Sequence, residues 1–135
     1  MVANWTRLCI RRSVPSKADE LRARVKDFAG RVLRFVKTLP TDAATSTVAR
    51  QLAKSGPSIS ANYHSSGRAR SRAEFIARLA VVVDEADETV GWLELLKDSA
   101  LVSGPELDGL LDESRQLRAI FVRSVTTARL NHRRR

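Results

Sequence analysis

Several cations in this chain are spaced to hold phosphate groups. Arg68, Arg70, Arg72 and Arg78 crowd one short polar stretch, and Arg50 and Lys54 precede it. A guanidinium binds phosphate oxygens in a bidentate fork. A run of this kind tracks a polyanion backbone and reads little of its sequence. Arg22, Arg24, Arg31 and Arg34 form a second basic set upstream. Aromatic interleaving is poor, because only Tyr63 and Phe75 stand nearby and both suit core positions. The expected binding is therefore backbone-driven, without base stacking. A competing use of some arginines is to meet acids of the same domain.

Asp84, Glu85 and Glu88 are the carboxylates to weigh next. Helical bundles hold di-iron sites through Glu-x-x-His pairs on facing helices, and the chain has none. His64 and His132 are its only histidines, whereas zinc needs several converging ligands. There is no phosphate-cradling glycine loop, no paired-histidine helix motif and no nucleophile elbow. The residues thus predict no catalytic site, no metal and no cofactor. Glu85 and Glu88 are expected to pair with basic residues of the first two helices, or across a subunit boundary.

Four amphipathic segments must position these groups. Ser16 and Asp19 begin the first with a capping box. Leu21, Val25, Phe28, Val32, Phe35 and Leu39 then recur in steps of three and four, the mark of a helix with one buried stripe. Pro40 ends it. Thr41 or Asp42 caps a second helix over 42–67, with Val48, Leu52, Ile59 and Tyr63 as its stripe. Pro57 within Ser55-Gly56-Pro57-Ser58 predicts a kink, or a division into two helices. Asn62 lies on or beside the stripe and needs a partner. Gly67 suits a helix end.

Ser71-Arg72-Ala73-Glu74 caps the third helix, whose stripe is Phe75, Leu79, Val82, Ala86, Thr89, Leu93 and Leu96. Ile76, Val83, Val90, Trp92 and Leu95 widen this apolar arc beyond what one bundle needs, which predicts contact with another copy. Ser103-Gly104-Pro105-Glu106 reads as a further capping box. The last stripe is Leu107, Leu110, Ser114, Leu117, Phe121, Ser124 and Ala128. Four such helices with short links specify an all-α, antiparallel up-down four-helix bundle over residues 17–130. Residues 1–16 read as a flexible basic arm, with Trp5, Leu8 and Ile10 able to pack on the body. Residues 131–135 read as a disordered basic tail.

At 135 residues and 43% hydrophobic content, one domain with an autonomous core is expected. Cys9 is alone, which excludes a disulfide framework and fits a reducing, cytoplasmic setting. The longest apolar run, Leu79–Val83, is far too short to span a membrane. The start is Arg-rich and acid-free but lacks the apolar core of a signal peptide. The net charge of +9 is uneven. Residues 17–39 carry seven basic and three acidic groups, 40–70 carry four and one, and 71–100 carry three and seven. This asymmetry points to attraction toward a polyanion and to head-to-tail docking of copies.

The segments SGPSISANY, RARSRAEFIARL and DEADETVGWLELL resemble the bacterial proteins encoded in 23S rRNA intervening sequences. The accessory variability determinant of diversity-generating retroelements is similar to that family. The resemblance covers residues 17–130 and implies an antiparallel four-helix bundle assembled as a homopentameric ring, without enzymatic activity. It further implies a basic protein that binds RNA or DNA, with a reverse transcriptase as a possible protein partner. Ser55, Gly56, Asn62, Tyr63, Glu85, Glu88, Thr89 and Trp92 would be its structural or subunit-interface positions. Two readings stand on this: a nucleic-acid-binding scaffold, and a protein-interaction adaptor for which nucleic acid is incidental.

Overall fold

The computed structural model describes residues 14–134. Most of the expected N-terminal arm, with Trp5, Leu8 and Ile10, therefore lies outside the described residues. Four helices follow: α1 (Lys17–Thr38), α2 (Ala43–Ser66), α3 (Arg72–Asp98) and α4 (Pro105–Arg133). Each neighbour in sequence packs on the next, and α4 returns to touch α1. Links this short turn each helix back along its predecessor, which gives an antiparallel bundle. Among the described residues there is no strand, and no helix is long and apolar enough to cross a membrane.

Local chemistry explains the boundaries. Ser16 and Asp19 form the full reciprocal capping box at the start of α1. Leu39 stands in extended geometry (φ −74°, ψ 147°) before Pro40 and stops that helix. Asp42 caps α2 by accepting from the Thr45 amide at 3.0 Å. Gly67 closes α2 in right-handed geometry, so its flexibility is not what ends the helix. At α4 the structure corrects the expected capping box. Gly104 is the N-cap, at φ 134°, and no side chain caps the helix. The missing donor of Pro105 falls in the first turn, where no partner is needed. α4 also runs to Arg133, three residues into the stretch expected to be a loose tail.

The core follows the stripes. Val25, Phe28, Val32, Leu52, Ile59, Leu79, Val82, Leu93, Leu96, Leu107, Leu110, Leu117 and Phe121 are all buried. Each such side chain contributes roughly 1.5–3 kcal/mol on leaving water. Tyr63 is half-buried and packs its ring against Phe121 at 5.1 Å, tilted by 59°. α2 continues through Pro57 as one helix, so the two-helix alternative is not taken. The Ser58 hydroxyl donates to the Lys54 carbonyl beside the proline.

One close approach joins α1 and α2. A Cβ placed on Gly56 would sit 2.9 Å from a Val32 methyl. Val32 is β-branched and has one strongly favoured rotamer in a helix, so it cannot turn aside. Alanine at position 56 gains about 1 kcal/mol of helix propensity but incurs about 1–3 kcal/mol of overpacking. Overpacking should win, so Gly56→Ala should lower the melting temperature by several degrees. Gly91 on α3 meets nothing within 4 Å, and Gly91→Ala should raise it. Thermal denaturation of the two variants followed by circular dichroism checks both signs.

Candidate nucleic-acid interface

One carboxylate organises the α2–α3 hinge. The Glu74 amide donates to the Ser71 hydroxyl at 3.1 Å, as a helix cap requires. The Glu74 carboxylate does not reach back to Ser71. It accepts instead from the Arg70 amide at 2.7 Å and pairs with the Arg78 guanidinium. Arg78 also donates to the Ser65 carbonyl at 2.7 Å and to the Ser65 hydroxyl. The end of α2 is thereby tied to the first turns of α3. Arg78, expected among the phosphate-binding cations, is half-buried and held by the protein itself.

Arg68, Arg70 and Arg72 point the other way. All three are exposed, and none forms an ion pair among the described residues. α4 runs alongside them and adds Arg123, which the sequence-derived set lacks. Arg72 and Arg123 line a single open groove of about 840 Å³. Gly67, Ala69 and Phe75 form its hinge side, and Thr127, Ala128 and Asn131 its α4 side. Beyond it α4 carries Arg129, Arg133 and Arg134, all exposed. The available signal was charge: from Ser114 onward the chain contains no acid.

The upstream cations divide differently. Arg24 makes a two-pronged contact with Glu113 at 2.6 and 3.0 Å and reaches Gln116 at 2.9 Å. Arg31 faces Glu106 at 3.5 Å, and Arg22 pairs with Asp19 at 2.8 Å. Arg24 and Arg31 close the seam between α1 and α4. Arg34 and Arg50 are exposed, but they lie in the halves of α1 and α2 remote from the hinge. Lys54 is exposed midway along α2, within electrostatic reach of Glu85. Arg68, Arg70 and Arg72, with Arg123, gather at the hinge end, and the Arg22 guanidinium also approaches Gly67 there while paired with Asp19.

Two acids of α3 pair with α4. Asp87 takes Arg118 at 2.8 Å and Glu94 takes Arg115 at 3.0 Å. Asp84, Glu85 and Glu88 form no ion pair among the described residues. Glu88 accepts from the Trp92 indole at 3.2 Å. Burial pushes the Glu85 carboxyl up, as do Glu88 and Asp84, while Lys54 opposes them. Val81, Glu85, Glu88 and Trp92 share one face of α3 by their spacing. Val81 and Leu95 remain exposed at 41% and 48%. No group of three or more potential metal ligands occurs among the described residues.

The remaining interface candidates are mostly internal. Ser55 and Thr89 are buried, with their oxygens 2.9 Å apart. Thr89 also lies 2.8 Å from the Glu85 carbonyl. One hydroxyl carries one hydrogen, so Thr89 donates to that carbonyl and Ser55 donates to Thr89. Asn62 is half-buried and donates to the Ser58 carbonyl at 2.8 Å. Of the eight positions, Glu85, Glu88 and Trp92 alone combine surface access with a shared outer face.

Three comparisons with known proteins bear on this arrangement. A family model described as 23S rRNA-intervening sequence protein matches residues 19–123. A solved structure from Bacteroides thetaiotaomicron, a protein of unknown function from the S23 ribosomal protein family, superposes with a TM-score of 0.74. It is 27% identical and the match covers 82% of this chain and 99% of that one. No curated protein matches.

The hinge should respond to acid. The Arg70 amide holds the Glu74 carboxyl below its ordinary value of 4.5, with Arg78 adding to the effect. The folded-state pKa is thus the lower one, so this stabilisation is complete above 4.5 and is lost as pH falls through the folded value. Thermal melts recorded from neutral pH downward should show Glu74→Gln less stable at pH 7 and flatter than the parent below 4.5.

Proposed function

Because the chain belongs to the 23S rRNA-intervening sequence protein family, we propose that it is a non-catalytic, nucleic-acid-binding scaffold acting in the cytoplasm as a homopentamer. The observation that carries this reading is the gathering of Arg68, Arg70, Arg72 and Arg123 at one end of the bundle, without acidic partners among the described residues. Phosphates of RNA or DNA are the ligands such a surface attracts. Pro57 favours a bend in α2 that orients this end.

Self-association is supported by the outer face of α3. It combines the exposed Val81 and Leu95, the half-buried Trp92, and Asp84, Glu85 and Glu88, which form no ion pair among the described residues. Basic surface on α1 and α2 of a neighbouring copy would neutralise those acids. A ring of five presents five basic ends together, which multiplies weak phosphate contacts by effective concentration. The adaptor reading, with a reverse transcriptase as partner, uses the same assembly but makes nucleic acid incidental.

Fluorescence anisotropy with labelled RNA and DNA tests the reading. With about six to ten phosphates neutralised across the assembly, binding should be tight at low salt and fall by roughly 10³–10⁵ between 50 and 200 mM salt. Reversing Arg68, Arg70 and Arg72 to Glu should abolish it, whereas reversing Arg34 and Arg50 should change it little. No binding at low salt, or indifference to salt, sinks the scaffold. Loss of nucleic-acid binding with a protein partner retained favours the adaptor. The solution mass by light scattering should be five times the chain's 15.0 kDa.

A further inference from the structure

The groove between the hinge and α4 does more than carry positive charge, and the geometry points to a site for one unpaired nucleobase of a single-stranded nucleic acid. This inference rests on the binding reading above and names the strand form it selects. The groove's two rims are cationic, Arg72 on the hinge side and Arg123 on α4. Its floor is not. Ala69, Phe75 and Ala128 line it with carbon, and the hydroxyls of Ser66 and Ser124 beside them already donate to the Tyr63 and Ile120 carbonyls, so little there bonds a phosphate. Phosphates therefore belong on the rims, and something apolar and flat belongs between them.

A base fits that division. Phe75, expected from the sequence to serve the core alone, packs against the core but also lines the groove, so it offers an aromatic surface for the base stacking that the sequence did not suggest. Thr127 and Asn131 stand on the α4 wall, and neither side chain has a hydrogen-bond partner among the described residues. Both can bond the edge of a base. The groove is open and, at about 840 Å³, has ample room for a base. A paired base in a duplex is stacked and hydrogen-bonded already, so it cannot enter without being extruded. Unpaired strands have no such barrier.

The test uses the full chain and three labelled probes: a single-stranded oligothymidylate, an abasic strand of equal length, and a duplex. At fixed low salt the oligothymidylate should bind about tenfold more tightly than the abasic strand. Ala128→Leu narrows the groove without adding an aromatic ring. Phe75→Leu removes the ring and keeps an apolar side chain. Each should erase the tenfold preference and leave the abasic affinity and the salt slope unchanged, with circular dichroism confirming the fold. Equal affinity of the parent for both strands, or a preference that survives both substitutions, overturns the base site while leaving phosphate binding intact. Tighter binding of the duplex also overturns it. Failure of all three probes to bind at low salt overturns both this site and the reading beneath it.

Discussion

Between Ser55 and Gly56 the second helix carries almost no side-chain bulk, and two neighbours crowd onto that one turn. Val32 of α1 comes within contact distance of the Gly56 backbone. Thr89 of α3 meets the Ser55 hydroxyl in a buried hydrogen bond. Close approach on both sides sets α1 and α3 against α2 at a separation that larger residues would forbid. With the Glu85 carbonyl taking the Thr89 hydrogen, this polar pair is satisfied, and no buried side-chain oxygen among the described residues lacks a partner.

The fourth helix joins by other means. Its core side packs against the body through Leu107, Leu110, Leu117 and Phe121. Its seam with α1 is closed by charge, through Arg24 with Glu113 and Arg31 with Glu106, and its seam with α3 likewise, through Arg115 with Glu94 and Arg118 with Asp87. All four pairs lie in the first half of α4. Asp108 in the same half pairs with Lys97, and from Ser114 onward the helix has no acid, so its second half carries arginines without acids of its own. An uneven sequence charge becomes a basic end of the molecule for this reason.

Periodicity made the four helices legible, because a buried stripe is a property of each segment alone. Val25, Phe28 and Val32, or Leu110, Leu117 and Phe121, declare their faces without knowledge of any neighbour. The Ser16–Asp19 box and the stop at Pro40 are equally local. Partner choice is not. That Arg24 meets Glu113, or that Arg78 turns inward to Ser65, depends on which helix lies beside which. The same holds for Arg123, whose neighbours in sequence, Val122 and Ser124, give no hint that it faces Arg72. Gly104 misled for a local reason. A serine before Gly-Pro resembles a cap, but the positive φ at position 104 makes the glycine the capping residue.

The bonds around Glu74 have an entropic consequence. Arg70 is fixed through its own amide, while Arg68 and Arg72 are fixed by helix ends tied through Ser65 and Arg78. Their main chain is therefore already settled before any ligand arrives. Ordering a loop on contact costs about 1–2 kcal/mol for every residue stilled. Here a docking polyanion immobilises only the flexible arginine stems, at about 0.5–1.5 kcal/mol each. The hinge behaves as a rigid mount for mobile charges.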